Sequence, residues 1–184
     1  MGVAFESYTS LPAWQTPKRL PVTTFETSIG TCGLVWHEAS LTAFRLPDYT
    51  AALESVACGE GIAEWIQTIV TRVQHHLAGD WQDFSDLNYD FSETGDFPSQ
   101  VYDATLRIKP GTTCSYGDIA KALDRPTGIS RAVGTALGAN PWPLLIPCHR
   151  VVASNGKMTG FSGPGGIKTK LRLLALEGAQ LSAE

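Results

Sequence analysis

The motif Pro147-Cys148-His149-Arg150 places a nucleophile, a base and a permanent cation at successive positions. It follows three apolar residues, 144–146, and precedes a pair of valines. Only the thiolate form of cysteine is a strong nucleophile, and neighbouring cations lower the pKa of a thiol towards neutrality. The pattern predicts a reactive Cys148 carried by a short buried segment. The alternative is that Cys148 is only a small buried hydrophobe, which is common for free cysteines.

No other arrangement of cysteines or histidines indicates a metal or a redox pair. No C-x-x-C spacing occurs among the four cysteines, which are Cys32, Cys58, Cys114 and Cys148. This argues against a disulfide framework or a zinc finger and favours a reducing, cytoplasmic setting. A second set has no recognised ligand spacing either: Cys32, His37, His75 and His76. We therefore expect neither a bound metal nor a cofactor.

The composition is that of an ordinary globular protein, and 184 residues suffice for one large domain or two small ones. No apolar run approaches the ~20 residues needed to span a membrane. Residues 1–20 lack the basic start and apolar stretch of a signal peptide. We therefore expect no membrane association.

Charge is unevenly distributed along the chain. Residues 1–95 contain 4 Lys/Arg and 12 Asp/Glu, a net charge of −8, whereas residues 96–184 contain 10 Lys/Arg and 6 Asp/Glu, a net charge of +4. An acidic half joined to a basic half favours two domains, 1–95 and 96–184, with any polyanionic partner bound by the second. Chance clustering of charges is the alternative.

The first half shows strand patterns near its start. Residues 1–21 carry three prolines without a clear period and are expected to form a loosely attached leader. Residues 22–27 are rich in β-branched side chains and predict a strand, followed by a turn at 28–33 and a second strand at 34–36, so that a hairpin is expected. Residues 41–46 predict a third strand.

The clearest helix signal also lies in the first half. Apolar residues recur at helical spacing at Ile62, Trp65, Ile66, Ile69, Val70, Val73 and Leu77. Gly79 is expected to end this helix. The aromatic stretch 81–91 predicts either a further strand or an irregular connection, and residues 92–96 are the expected domain boundary.

The second half contains short helix patterns. A helix with Pro98 in its first turn, ending before Pro110, is predicted from four apolar positions: Val101, Tyr102, Leu106 and Ile108. Ser115 and Asp118 resemble a capping box that opens a second helix running to Leu123.

A third helix is expected to start at Thr127 or Ser130, just after a turn at residues 124–126. Two short helices across a tight turn make a candidate helix-turn-helix.

The last of these helices, residues 131–139, presents almost only small side chains, and its two internal glycines each cost about 1 kcal/mol relative to alanine. Long polar side chains, which read bases in the major groove, are missing. The composition therefore predicts close contact with the DNA backbone in a narrow groove, with Arg131 inserted into the base stack. Tight helix–helix packing is the alternative.

Together these residues resemble the O6-alkylguanine-DNA alkyltransferases, the family of methylated-DNA–protein-cysteine methyltransferases. The resemblance follows the family's order and spacing through six segments: residues 115–120, 131–134, 140–141, 147–152, 160–163 and 173–178. It is only loose in the first half. It implies a ribonuclease H-like α/β domain at 1–95 and a mainly helical, winged-helix-like domain with a helix-turn-helix at 96–184.

The resemblance implies a DNA repair protein that acts once. Such proteins bind duplex DNA at the minor groove, rotate O6-alkylguanine out of the duplex, and move the alkyl group irreversibly to their own cysteine. The base must first leave the stack, which costs a few kcal/mol. By resemblance, Cys148 is the acceptor, Arg131 fills the vacated place, and four further helix residues contact DNA: Ala132, Gly134, Thr135 and Gly138. Double-stranded DNA with O6-alkylguanine is the expected partner, O4-methylthymine a further substrate, and the monomer the acting form.

The resemblance also assigns the catalytic residues beside Cys148. His149 would be the base; because neighbouring side chains diverge on a regular strand, a water is expected to bridge it to the thiol. Glu177 would accept a hydrogen bond from the far imidazole nitrogen and so fix the tautomer. Tyr116 would donate a proton to the departing guanine, or else only pack at the start of its helix.

The expected substrate pocket contains six residues: Asn140, Trp142, Pro143, Val151, Phe161 and Ser162. By resemblance, Asn140 fixes the helix against the cysteine segment and Ser162 hydrogen-bonds the lesion oxygen. Phe161 stands where the family usually has tyrosine, and Pro164 lies in the glycine-rich pocket loop. Trp142 is expected near the site entrance.

Two other functions are consistent with parts of the sequence. A non-catalytic lesion sensor would bind and flip damaged bases without accepting the alkyl group, although the family's non-catalytic relatives replace the cysteine that is present here. An unrelated cysteine–histidine hydrolase would turn over an acyl substrate repeatedly. Alkylation of Cys148 by damaged DNA distinguishes the first function from both.

Overall fold

The computed structural model describes residues 20–47, 49–50, 62–155, 161, 163 and 165–179. Most of the expected leader, together with Ser162 and Pro164, lies outside these residues. The described residues form a mixed α/β structure with five α-helices, a three-stranded sheet and a two-stranded sheet. No helix in this part of the chain is long and apolar enough to cross a membrane.

The first sheet is antiparallel, in the order β1 (Val22–Thr27), β2 (Gly30–His37) and β3 (Ser40–Arg45). All three predicted strands are confirmed. The predicted turn at 28–33 is too long, because Gly30 already pairs with Thr27. Within β2, alternation brings Cys32, Leu34 and Trp36 into the core, as expected for a strand with one buried face.

Helix α1 (Glu64–Leu77) confirms the predicted amphipathic helix, although Ile62 lies just before it. Its buried stripe consists of Ile66, Ile69, Val73, His76 and Leu77. Gly79, with a φ of 97°, takes the chain out of the helix as predicted. Residues 81–91 are an irregular connection with one isolated bridge, from Tyr89 to Leu41 on β3, and not a strand.

Helix α2 (Asp96–Leu106) has Pro98 in its first turn, as predicted. It ends at Leu106, so the placement of Ile108 on this helix is wrong. The hydroxyl of Tyr102 donates a hydrogen bond of 2.9 Å to the backbone oxygen of Ala136, and this bond fixes α2 against the helix that contains Ala136.

The predicted helix-turn-helix is present. Strand β4 (Cys114–Ser115) leads into α3 (Tyr116–Ala122), and a 3₁₀ turn (Thr127–Ile129) leads into α4 (Ser130–Gly138). Both halves of the capping box form: the Ser115 hydroxyl accepts from the Asp118 backbone N–H, and the Asp118 carboxylate accepts from the Ser115 backbone N–H. These bonds satisfy N–H groups that a helix start leaves unpaired.

The chain then forms a buried loop, a 3₁₀ turn (Cys148–Arg150), strand β5 (Val151–Val152) and helix α5 (Ile167–Leu176). Strand β5 pairs in parallel with β4. One continuous apolar core joins both halves of the chain. The indole N–H of Trp142 donates to the Leu41 backbone oxygen on β3, at 3.0 Å, and so connects the buried loop to the first sheet.

Candidate active site

Cys148 lies on the 3₁₀ turn and not on a strand, because β5 begins only at Val151. The residue is 7% exposed, so its sulfur lies at the edge of the core and not on the surface. The backbone N–H of Cys148 donates to the backbone oxygen of Ile146 at 2.8 Å, which sets the turn directly against the buried loop.

Asn140 follows α4 and connects that helix to the cysteine. Its side-chain N–H donates to the Ile146 backbone oxygen, and its side-chain oxygen accepts from the Trp142 backbone N–H, both at 2.9 Å. Its side chain also lowers the pKa of the Cys148 thiol. The loop that it fixes contains Leu144, fully buried with a φ of 80°, a conformation that costs energy in a non-glycine residue and recurs near functional sites.

The environment of the thiol differs from the one predicted. Burial raises the pKa of Cys148, and this outweighs the hydrogen bond from Asn140 and the charge of Lys170, which both lower it. The expectation that His149 and Arg150 would lower this pKa towards neutrality is wrong, because both side chains are directed to Glu177. The resting thiol therefore needs a base to become a nucleophile.

Lys170 supplies the cation that sequence reasoning assigned to Arg150. This lysine of α5 is fully buried, and its ammonium donates to the backbone oxygen of Val151 at 2.6 Å. Burial lowers the pKa of Lys170, whereas the charge on Cys148 raises it. A buried cation beside the sulfur stabilises the thiolate more strongly than an exposed one, because little water screens it.

His149 and Glu177 form the predicted pair. Both are almost completely buried, and His149 Nε2 lies 3.0 Å from Glu177 Oε1. Burial lowers the pKa of His149, and Glu177 acts in the opposite direction. The other ring nitrogen, Nδ1, is buried and has no hydrogen-bond partner among the described residues. With Nε2 donating to the carboxylate, Nδ1 is the nitrogen left to accept a proton.

Two further side chains, those of Arg150 and His76, hydrogen-bond to the Glu177 carboxylate, and the sequence did not predict either contact. Arg150 Nε lies 2.9 Å from Oε2 and Arg150 Nη2 lies 2.7 Å from Oε1, a bidentate pair. His76 Nε2, from α1, lies 3.0 Å from Oε1. Burial would raise the pKa of Glu177, but the hydrogen bonds from His149, His76 and Arg150 hold it well below its usual range. Glu177 is therefore a carboxylate throughout the neutral range.

Tyr116 is the first residue of α3 and is half-buried. Its ring lies next to α4: a Cβ added at Gly134 would stand 3.6 Å from Tyr116 Cε1, an ordinary contact. A Cβ added at Gly138 would have nothing within 4 Å. Contacts among the described residues therefore do not require glycine at either position.

The outer face of α4 consists of Arg131, Ala132, Thr135, Gly138 and Ala139, all exposed. These positions follow the i, i+4, i+7 spacing of one helix face. Apart from Arg131, every side chain on this face is small. The face is therefore flat, except for the long cationic side chain of Arg131 near the start of the helix.

The remaining pocket residues are placed as follows. Val151 is buried directly after the cysteine turn, and Pro143 and Phe161 are half-buried. The expectation that Trp142 lies at the site entrance is wrong: it is 1% exposed and packs edge-on against three aromatic rings, those of Tyr89, Phe91 and Tyr102. A large apolar ring whose one polar atom is already satisfied is more stable inside the core than at its edge.

The fold and the site define a class of protein in which a buried cysteine is followed by a histidine that is hydrogen-bonded to a carboxylate. Asn140 connects the cysteine segment to the second helix of a helix-turn-helix. Residues 96–179 match the family model described as the DNA-binding domain of 6-O-methylguanine DNA methyltransferase. The methylated-DNA–protein-cysteine methyltransferase of Mycobacterium tuberculosis is 35% identical over 161 residues, which are 88% of this chain and 94% of that protein. The chain belongs to the methylated-DNA–protein-cysteine methyltransferase family.

Another relative and two solved structures are also similar to this chain. A DNA base-flipping protein of Thermus thermophilus is 43% identical over 108 residues, covering 58% of this chain and 69% of that protein. The crystal structure of the Mycobacterium tuberculosis O6-methylguanine methyltransferase superposes with a TM-score of 0.71 at 34% identity, covering 89% of this chain and 97% of that chain. A structure of OGT from the same organism in complex with DNA has a TM-score of 0.68 at 33% identity, covering 85% and 92%.

Proposed function

We propose that this protein repairs DNA by moving the alkyl group of O6-alkylguanine irreversibly to Cys148, once per molecule. The observation that carries this proposal is the set Cys148, His149 and Glu177, in which the imidazole is held by a carboxylate at Nε2 and has Nδ1 open to accept a proton. The Mycobacterium tuberculosis relative, whose name states this activity, is similar over almost its whole length.

In the proposed reaction, His149 Nδ1 takes the thiol proton of Cys148 through a bridging water. The thiolate attacks the carbon attached to O6, a carbon–sulfur bond forms, and the carbon–oxygen bond breaks with its electron pair remaining on the guanine. Glu177 stabilises the imidazolium, and Lys170 stabilises the thiolate. The Tyr116 hydroxyl donates a proton to the departing guanine and regains one from solvent, to which His149 releases the proton that it took from the thiol.

Access to the base is the proposed task of α4. Its smooth outer face lies along the minor groove, and Arg131 enters the stack in place of the rotated guanine. Contacts among the described residues do not require glycine at Gly134 or Gly138, which supports this, because contact with another molecule is a reason for their small size. Ala132 and Thr135 complete the contact surface.

The pocket that receives the base is proposed to contain Pro143, Val151 and Phe161, with Asn140 fixing its floor and Ser162 as hydrogen-bond donor to the lesion. Phe161 offers an apolar wall without the hydroxyl of a tyrosine. O4-methylthymine is proposed as a second substrate, because it presents a similar alkylated oxygen.

The finer architecture is also a proposal. We assign residues 1–95 to a ribonuclease H-like domain and residues 96–184 to a winged-helix-like domain that acts on DNA as a monomer. The start of the family match at residue 96 supports this division. The described cysteines are free thiols, which supports a reducing, cytoplasmic location.

Mass spectrometry of Cys148 tests the function directly. After incubation with duplex DNA that contains O6-methylguanine, the peptide with Cys148 is expected to gain one methyl group, at most once per protein molecule. Cys148→Ser keeps the shape of the site and is expected to bind the duplex without reacting. An unmodified wild-type peptide, under conditions in which the duplex is bound, would instead support the non-catalytic lesion sensor. The Thermus thermophilus relative is named as a DNA base-flipping protein.

A further inference from the structure

His76 is the penultimate residue of α1, and α1 belongs to the half of the chain that the family's DNA-binding model does not match. It is 1% exposed and contacts the active-site carboxylate directly: its Nε2 lies 3.0 Å from Glu177 Oε1. Its ring also packs against Phe84 at a centroid distance of 5.3 Å. A buried polar side chain of the first half is thus part of the hydrogen-bond network behind Cys148.

The orientation of this imidazole is fixed by the backbone. The N–H of Gln82 points to His76 Nδ1 at 3.0 Å, and a backbone N–H can only donate. Nδ1 therefore accepts and carries no proton, so Nε2 carries the proton and donates to Glu177. Of the two histidines on Glu177, only His149 then has a ring nitrogen without a partner among the described residues.

The same segment also holds the backbone beside Glu177. The indole N–H of Trp81 donates to the backbone oxygen of Leu176 at 3.1 Å, and the Trp81 ring lies against Gly178. The residues on both sides of Glu177 are thus fixed by the connection that follows α1, while His76 fixes the carboxylate itself.

We propose that His76 is a positioning residue for alkyl transfer, which holds Glu177 Oε1 in the orientation that His149 requires. Arg150 contacts both carboxylate oxygens, so without a donor on the opposite side the carboxylate is free to turn towards the guanidinium and away from His149. The groups that face Glu177 are His76 from α1 and His149 and Arg150 from the cysteine turn. The inference rests on the proposed function for its meaning in repair.

Two substitutions of His76 distinguish its role as a hydrogen-bond donor to Glu177 from a role in packing alone. In His76→Gln, the amide N–H takes the place of Nε2 and keeps the bond to Glu177 but leaves the Gln82 N–H unpaired. In His76→Asn, the shorter amide keeps a partner for Gln82 and loses Glu177. Each variant thus loses one buried hydrogen bond, which makes them matched in stability to a first approximation. His75→Asn, at an exposed neighbour, is the control.

The readout is the reactivity of Cys148 across pH, measured with iodoacetamide and with free O6-benzylguanine, which needs no base flipping. His76→Asn is expected to react about tenfold more slowly at neutral pH, since a bond to a charged group is worth at least that factor. The midpoint of its rise in reactivity is expected to move to lower pH, because a loosened Glu177 makes His149 a weaker base, which becomes neutral and able to accept the thiol proton at lower pH. His76→Gln and His75→Asn are expected to stay within about threefold of wild type.

Equal reactivity and equal pH midpoints in His76→Asn and His76→Gln would overturn the proposal and leave His76 a packing residue. Nitrogen NMR of the wild-type histidine rings provides a test that needs no variant: His76 is expected as the Nε2–H tautomer, and an Nδ1–H tautomer would equally overturn it. Iodoacetamide separates this inference from the proposed function. A shifted midpoint with iodoacetamide, without any transfer from benzylguanine in wild type, would retain the positioning role and reject the repair function.

Discussion

At the scale of single residues, the reactive sulfur is governed by opposing effects. Burial raises the pKa of Cys148, and the neighbouring Lys170 lowers it. Lys170 is buried in an otherwise apolar stripe of α5 that includes Leu173 and Leu174, so its ammonium is weakly screened. Removal of this one charge should therefore change reactivity more than removal of any surface charge.

Lys170→Met keeps the length of the side chain and removes its charge. The pKa of Cys148 is expected to rise further, so that the rate of iodoacetamide reaction at neutral pH falls about tenfold for each unit of rise. The backbone oxygen of Val151 also loses its partner, which costs about 1–3 kcal/mol of unfolding free energy. Lys168→Met, at an exposed position on the same helix, should change neither quantity. An unchanged rate in Lys170→Met would remove Lys170 from the electrostatics of the thiol.

The sequence predicted Cys148, His149 and Glu177 because they occur in a known motif, but it gave no role to His76 or Lys170. A signal for both was present. Each falls on the buried stripe of its helix, His76 three residues after Val73 and Lys170 three before Leu173. A polar residue on such a stripe must find a buried partner. Which partner it finds depends on contacts across 101 residues for His76, and no local pattern contains them.

At the scale of elements, the two sides of α4 differ in what their residues contact. Its buried side, Val133, Ala136 and Leu137, follows ordinary core patterning, and its boundaries agree with the prediction from the sequence. The exposed side contains a helix-weakening glycine in open space. Folding alone does not select such a residue.

Gly138→Ala separates folding from binding. The added methyl group meets no atom of the described part of the chain within 4 Å, so the free energy of unfolding is expected to rise, by up to about 1 kcal/mol. If α4 lies against the DNA backbone, the same methyl group weakens duplex affinity, while the rate with free O6-benzylguanine stays unchanged. Urea denaturation and duplex titration at fixed salt measure the two effects. Unchanged affinity would place the DNA contact elsewhere.

At the scale of the whole molecule, the two halves are joined through buried polar contacts as well as through the shared core. Trp142 donates to Leu41 on β3, and His76 donates to Glu177. The sequence indicated two halves from charge alone and gave no indication of how they pack. The clearest error, the position of Trp142, arose because flanking prolines resemble an exposed loop, whereas this loop is buried by aromatic rings from the first half and from α2.

Low pH should decrease the free energy of unfolding through the Glu177 cluster, which consists of Glu177, His76, His149 and Arg150. The pKa of Glu177 is depressed in the folded state, so its stabilisation is complete above its ordinary value of about 4.3 and is lost as pH falls below it. The pKa of His149 is lowered by burial, so protonation below about pH 6.5 also favours unfolding. Stability is therefore expected to fall continuously from pH 7 towards pH 3.

Glu177→Gln tests the origin of this acid loss. It leaves Arg150 buried without a counter-charge, which costs about 3–5 kcal/mol at neutral pH, and it should flatten the decline below about pH 4.3. Asp86→Asn, which breaks an exposed pair with Arg72, should cost at most about 1 kcal/mol. Urea denaturation at a series of pH values provides the comparison. Parallel acid slopes in wild type and Glu177→Gln would exclude this cluster as the cause.

The separation of His149 and Glu177 by 28 positions has a consequence for biosynthesis. Chains are made and begin to fold from the amino terminus. The future acceptor cysteine is therefore polymerised well before the carboxylate that orients its base, and the helix carrying that carboxylate must dock onto the earlier histidine of α1. A nascent chain that still lacks Glu177 therefore holds the thiol without the carboxylate that orients its base.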